Sequence, residues 1–182
     1  MRNIYIDAGG FSGDTVELFL EKYPDAKKFE IFCFEPNPEM HHYHKNKGYK
    51  FFPFAVWIKE CELMFYLAKN KIGSTLMKSK KNQKIVNSVQ VKAIDISCWI
   101  KSNFSESDNI VMKMDIEGAE YDVLDHMVEN GSISYIKELF VDWHSKKMKN
   151  FNHDKYKHML KTLKNLGLAH GNMCGETWRI ER

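Results

Sequence analysis

IYIDAGGFSGD, residues Ile4 to Asp14, carries the reading of the fold. Ile4 and Ile6 have the spacing of a buried strand, Asp7 stands where that strand finishes, and Gly9, Gly10 and Gly13 crowd the turn before a helix. Glycine lets bare backbone approach a ligand, and the helix behind the turn offers unpaired N–H groups. An ordinary strand-to-helix turn looks the same, so the ends of the later strands must decide.

Outward from that turn, Val16, Phe19, Leu20 and Tyr23 share one helical face, and Pro24 with Asp25 stops the helix. FEIFCFEPNP, Phe29 to Pro38, reads as a buried strand ending at Glu35. His41, His42 and His44 fall on a short polar helix and read as a solvated face rather than a metal site. Tyr49 to Ile58 reads as a third strand, with Pro53 marking an edge or a bulge, and Cys61 to Ala68 as its continuation or hairpin partner. Lys69 to Lys84 has no period and reads as an exposed loop bearing Lys78, Lys80, Lys81 and Lys84. Val89, Val91 and Ala93 alternate as a half-buried strand, and Asp95 precedes a short helix. Asn109 to Asp115 is a strand ending in an acid, and Ala119, Val123, Leu124, Met127 and Val128 share the face of the helix after it. Ile136 to Trp143 leads to Asp142 and His144, a helix through Tyr156 and Leu163 closes at Gly167, and Glu176 to Glu181 forms a last strand. The alternation predicts an α/β fold: a doubly wound, Rossmann-like sheet, mostly parallel with a C-terminal antiparallel strand, in a single domain over 1–182.

Ligands of such sheets sit outside the carboxyl ends of the strands, where this reading gathers Asp7, Glu35, Asp115 and Asp142. Glu35 lies about 22 positions beyond Gly13, near the separation at which an acid reaches a ribose diol. A pyrophosphate at the glycine turn would sit close to the Asp7 carboxylate, whereas an ammonium would be attracted, which favours S-adenosylmethionine over NAD. In VMKMDIEGAEYDVL, Asp115, Glu117 and Glu120 crowd one strand-to-helix junction, and their charge suits a sulfonium better than a phosphate. Glu120 reads equally well as a plain first-turn helix acid.

At 182 residues, 43% hydrophobic and 28% charged, the chain has the make-up of an ordinary globular protein rather than a disordered one. A net charge of +3 is too small to argue for nucleic acid as partner. No stretch reaches the roughly 20 apolar residues of a membrane span, and MRNIYIDAGG lacks a signal-peptide core, so a cytoplasmic protein is expected. Cys33, Cys61, Cys98 and Cys174 show no CxxC spacing and are expected to be free thiols.

IDAGGFSGD, FEPNP, the Ala55 and Val56 pair, GSTL at Gly73 to Leu76, VKAIDISCWI, MKMDIEGAEYDVL and VDWH, in that order, resemble the FkbM family of S-adenosylmethionine-dependent methyltransferases. The DIEGAE run is the most specific piece, and the resemblance covers about residues 3 to 145. It implies a class I methyltransferase fold and methyl transfer to a hydroxyl of a sugar, glycan or small metabolite. By that resemblance Asp7, Gly9 and Gly13, with Gly10 among them, match the cofactor loop, Glu35 the ribose-binding acid and Ala55 the backbone near adenine. Asp115 and Glu117 match the acidic strand end by the methionine moiety, and His144 a histidine after the fifth strand. Phe11 departs from a usual small polar residue, often Asn, and Asp142 from a more usual Glu. A hydroxyl acceptor must lose a proton, and histidine ordinarily titrates near neutrality, so His144 is the first candidate base, followed by Glu117 and Asp142. Mg²⁺ between Asp115 and Asp142 is an alternative way to acidify the hydroxyl, though a metal is not the expectation. Three other functions compete: ribose 2′-O-methylation of RNA, suggested by Lys113 two residues before Asp115 and by the lysine loop, a nicotinamide-dependent oxidoreductase, and a degenerate domain that keeps the cofactor but not the catalysis.

Overall fold

A computed structural model describes residues 1–71, 73–78, 84–144, 153–174 and 177–181. NIYIDA forms β1 (Asn3–Ala8), buried from Ile4 onward, and α1 (Asp14–Lys22) follows the glycine turn. Next come β2 (Glu30–Phe34), β3 (Lys50–Phe52), β4 (Ala55–Trp57), β5 (Cys61–Ala68) and β6 (Ile85–Asp95). Then follow α2 (Ile96–Asn103), β7 (Asn109–Met114), α3 (Glu120–Glu129), β8 (Ile136–Val141), α4 (His153–Asn165), β9 (Ala169–Cys174) and β10 (Thr177–Glu181).

Seven strands form one sheet in the order β3-β2-β1-β7-β8-β9-β10. It is parallel from β3 to β9, and only β10 runs antiparallel, against β9. This is the expected α/β fold, with β9 as the unexpected strand that gives β10 its partner. The chain winds outward from β1 to β3, then returns to place β7 on the other side of β1, so the order reverses between β1 and β7. A crevice opens at such a reversal, outside the carboxyl ends of the strands.

Both faces of the sheet are covered, as a parallel sheet requires. Ile4 and Ile6 point to the face packed by Ile96, Ile100, Val123, Leu124 and Met127, with Phe34 and Met112 beside them. Tyr5, between them, points to the opposite face with Val16, Phe19, Cys33, Val111 and Phe140, and its ring stacks on Phe19 at 3.8 Å. Each such side chain contributes about 1.5–3 kcal/mol by leaving water. The predicted helical faces hold except at Leu20, which is 40% exposed beyond the edge of this packing.

Three expectations need correction. The run Tyr49 to Ile58 is not one strand: β3 pairs with β2, whereas β4, beyond Pro53, belongs to a separate three-stranded sheet ordered β4-β6-β5. Proline has no N–H for a ladder, so the chain changes sheets there. The partner of β5 is accordingly β6, antiparallel to it. The second correction concerns Lys69 to Lys84: Gly73, Ser74 and Thr75 are buried, and Thr75 exchanges backbone hydrogen bonds with Tyr66 at 2.8 and 3.0 Å. Lys78 and Lys84 are exposed as expected, while Lys80 and Lys81 lie outside the described residues. The third is His44, which is buried rather than solvated.

Among the described residues no helix is long and apolar enough to cross a membrane. Cys33, Cys61 and Cys98 are free thiols.

Candidate active site

A cavity lies between the tips of β1, β2 and β7 and the small sheet, its wall running from Gly9, Gly10 and Phe11 to Glu35, Ala55, Phe65, Leu76, Asp115 and Glu117. The glycine turn is shaped first by the protein's own packing. A Cβ on Gly9, at φ +84°, would stand 1.9 Å from the carbonyl oxygen of Asp115, and one on Gly10 would stand 2.2 Å from Cys33 Sγ. Glycine therefore lets the turn press against β2 and β7, and its backbone faces the cavity as a consequence. Gly13 lies outside the cavity wall and serves as the N-cap of α1 at φ 90°.

Asp7 also stands behind the wall rather than in it. It is fully buried, with Oδ1 3.1 Å from the Lys113 ammonium and Oδ2 accepting from Thr15 Oγ1 at 2.5 Å. Lys113, 1% exposed, donates to the Gly9 carbonyl at 2.6 Å and lies 3.8 Å from Asp115. Burial alone would lower the Lys113 ammonium, but Asp7 and Asp115 outweigh it, the net direction is upward, and the side chain is charged. This pair ties the glycine turn to β7. The sequence reading takes Lys113 as a possible RNA contact, yet a lone lysine within the apolar run NIVMKM signals a buried ion pair, because a strand buried on both faces must pair any charge it carries.

Glu35, 6% exposed, sits at the tip of β2 and does line the cavity. One oxygen accepts from Phe11 N at 2.9 Å and the other from Asn37 N at 2.7 Å. A carboxylate has about four acceptor sites, so both oxygens keep capacity for a ligand. Burial pushes this carboxyl up to about 7 against the pull of the two backbone N–H groups and Lys113. Phe11 is held in the left-handed region at φ 43°, a conformation that asparagine adopts more readily. His44 supplies part of the clamp. Burial lowers its imidazole, so in the neutral ring Nε2–H donates to the Phe11 carbonyl at 2.7 Å, while Nδ1 accepts from the Tyr49 hydroxyl at 2.8 Å.

The DIEGAE run builds the other end of the cavity. Asp115 follows β7, and its N–H donates to the Ala8 carbonyl at 2.9 Å. Glu120 is fully buried and folds back to accept from Ile116 N at 3.1 Å and Gly118 N at 3.0 Å, so it organises the turn as well as opening α3. Glu117 is left at φ 58° with its carbonyl accepting from Thr75 Oγ1 at 2.7 Å. The GSTL segment is thereby latched onto the acidic turn. His144, 1% exposed, lies behind Glu117: its Nδ1 is 3.0 Å from both Glu120 Oε1 and the Asp142 carbonyl, and its Nε2 is 3.0 Å from Glu117 Oε2. Asp142 Oδ2 stands 3.5 Å from that Nε2, but neither Asp142 nor His144 lines the cavity.

A left-handed conformation costs a non-glycine residue about 1–2 kcal/mol, and glycine loses about 0.5–1 kcal/mol of chain entropy in exchange. Glu117→Gly is therefore expected to leave the urea unfolding free energy unchanged or raise it by up to about 1 kcal/mol. A drop of more than about 2 kcal/mol would mean that the Glu117 side chain holds the turn together.

The structure thus brings Gly9, Gly10, Glu35, Ala55, Asp115 and Glu117 to one cavity, sets His144 and Asp142 against its acidic end, and leaves Asp7 and Gly13 behind the glycine turn. The methyltransferase FkbM domain profile matches residues 7–168, which contain every one of these positions. The chain belongs to the FkbM methyltransferase family. Methyltransferase FkbM from Methylobacillus flagellatus KT superposes with a TM-score of 0.52 at 12% identity, over 92% of this chain. At that identity the likeness shows the FkbM fold alone, and this chain spans 37% of the length of that one. A search of curated proteins gives no match. Sequence reasoning names Lys113 only toward RNA, His44 only as solvated and Thr75 only within the GSTL run, and it leaves Glu120 undecided; Lys113, Thr75 and His44 act through partners that only the fold brings near, and Glu120 through the neighbouring Ile116 and Gly118 N–H groups.

Proposed function

We propose that this chain is an S-adenosylmethionine-dependent O-methyltransferase acting on a hydroxyl of a sugar, glycan or small metabolite. The observation that carries the reading is Glu35, a buried carboxylate with spare acceptor capacity on a cavity whose far end is acidic. The residues present suit the methyl donor at each part. Glu35 would take the ribose hydroxyls, Ala55, Val56, Phe65 and Leu76 offer an apolar wall for the purine, Asp115 offers negative charge to the ammonium, and Glu117 offers it to the sulfonium, which S-adenosylhomocysteine lacks. A dinucleotide phosphate has less to bind, because the buried Lys113 is committed to Asp7, the Gly9 carbonyl and Asp115. The same commitment turns Lys113 away from an RNA phosphate and leaves the exposed Lys78 and Lys84 as the other basic groups of the RNA reading. When bound, S-adenosylmethionine supplies an electrophilic methyl group.

Glu117 is the acid of the trio with His144 and Asp142 that lines the cavity, so it is the group placed to hold the acceptor hydroxyl and draw off its proton. His144 positions Glu117 from behind. The acceptor's approach lies by the GSTL latch, where Thr75 fixes the Glu117 backbone.

Glu35 gives a pH test. Its folded carboxyl is raised to about 7 from an ordinary 4.5, so the stability it contributes is full below 4.5 and lost as pH rises through 7. Ribose hydroxyls donating to the ionised form pull the carboxyl back down, so binding expels a proton. Calorimetric titration with S-adenosylhomocysteine at about pH 6.5, in buffers of different ionisation enthalpy, is expected to show release of up to about one proton. Glu35→Gln should abolish the release and weaken binding about 10- to 100-fold, the worth of hydrogen bonds to a charged group. Heat with NADH and none with S-adenosylhomocysteine would count against the reading.

A further inference from the structure

Behind the acidic end of the cavity stands a nitrogen whose surroundings suit a cation. His144 Nδ1 faces two acceptors, Glu120 Oε1 and the Asp142 carbonyl, each at 3.0 Å. A carbonyl can only accept, so Nδ1 carries the proton and donates it there. The other ring nitrogen, Nε2, is left to face the acids. It is aimed, in a side chain 1% exposed, at Glu117 Oε2, Asp142 Oδ2 and Asp115 Oδ1, at 3.0, 3.5 and 3.8 Å. Three carboxylate oxygens gathered about one buried nitrogen concentrate negative charge, which a cation offsets. Asp115 Oδ1 adds to this, since it is a buried oxygen with no hydrogen-bond donor.

We propose that Asp115, Glu117 and His144 form a binding site for a divalent first-row cation, Mn²⁺ or Zn²⁺ in preference to Mg²⁺. Their donor atoms lie within 4.8 Å of one another, a spread that small rotations of the two carboxylates close onto one ion at the ~2.0–2.2 Å of metal–nitrogen and metal–oxygen bonds. An imidazole with two carboxylates suits manganese and zinc, whereas magnesium takes oxygen ligands almost throughout. Glu120 completes the arrangement as the carboxylate that fixes the histidine tautomer from its far nitrogen, the usual support of a metal-bound imidazole. Asp142 stands at the margin and can join as a further oxygen. Glu117 and Asp115 both line the cavity, so an ion held here keeps an open position toward the acceptor. There it would bind and acidify the hydroxyl that Glu117 otherwise meets directly. That consequence rests on the methyl-transfer reading, but binding of the ion does not.

The test uses the whole chain after chelator treatment and dialysis. Titration with Mn²⁺, followed by electron paramagnetic resonance and calorimetry, should show one bound ion, with Mg²⁺ at least 10-fold weaker. Asp115→Asn and His144→Asn should each weaken Mn²⁺ at least 10-fold, and Glu120→Gln about 10- to 100-fold. Asp115 is partly exposed, so its variant keeps the test meaningful if Glu120→Gln does not fold. With Zn²⁺, the ¹⁵N resonance of His144 Nε2 should move to the range of metal-bound nitrogen while Nδ1 stays protonated. Failure to bind Mn²⁺ or Zn²⁺ at millimolar concentration, binding unaffected by the Asp115 and His144 variants, or an imidazolium protonated on both nitrogens that ignores Zn²⁺ would each overturn the proposal. S-adenosylhomocysteine titrated into the same sample separates this failure from failure of the methyltransferase reading, which does not need the ion to bind its cofactor.

Discussion

Lys113→Met is expected to destabilise the protein by about 3–5 kcal/mol, because it leaves the fully buried Asp7 carboxylate without its cation. For a chain of this length that is a fall of roughly 10 °C in melting temperature. The double variant Asp7→Asn with Lys113→Met should recover most of the loss, since the damage lies in the stranded charge rather than in the missing ammonium. If the double variant melts no higher than the single one, the pair is not what ties the glycine turn to β7. The same change bears on the cavity. Lys113 holds the Gly9 carbonyl at 2.6 Å, and freeing it should loosen the wall against which a cofactor would lie.

Glu117→Gln is expected to reduce methyl transfer by about 10²- to 10⁴-fold, the range for losing a group that moves a proton in the reaction. Affinity for S-adenosylhomocysteine should change by no more than about threefold, because Gln keeps the volume and the backbone of the turn is held by Thr75 and Glu120. Turnover would be read from S-adenosylhomocysteine formed with a panel of sugars and hydroxylated metabolites. A variant as active as the parent would remove Glu117 from the chemistry. One that lost cofactor affinity in proportion to turnover would make it a binding residue. His144→Asn, acting through Glu117, should lower kcat more than it changes KM.

What was legible beforehand was local. Apolar runs such as NIYIDA and EIFCF announce strands wherever they occur, and Asp7, Glu35, Asp115 and Asp142 do stand at or just beyond the ends of β1, β2, β7 and β8. Doubly wound topology follows from alternation, which also needs no long-range contact to read. The failures are long-range. Composition shows that Tyr49 to Ile58 is buried and extended, but not that Pro53 divides it between two sheets. Three nearby histidines look solvated until Phe11, left-handed and far away in sequence, is seen to need His44. The glycines were read as making room for a ligand, whereas Gly9 first makes room for the Asp115 carbonyl. Asp7 looked available to an ammonium because nothing in its neighbourhood reveals Lys113, which the β1 and β7 register places beside it. GSTL looks like loop because its local bonds, such as Ser74 N to the Lys71 carbonyl at 3.1 Å, form no repeating ladder, while the bonds that bury it run from Thr75 to Tyr66 and Glu117.

The most direct measurement is a crystal structure of the chain with S-adenosylhomocysteine. The ribose hydroxyls should lie within hydrogen-bond distance of the Glu35 carboxylate, with the base against Ala55 and Phe65 and the sulfur at the Asp115 and Glu117 end. A ligand seated outside this cavity, or with its sugar away from Glu35, would contradict the account.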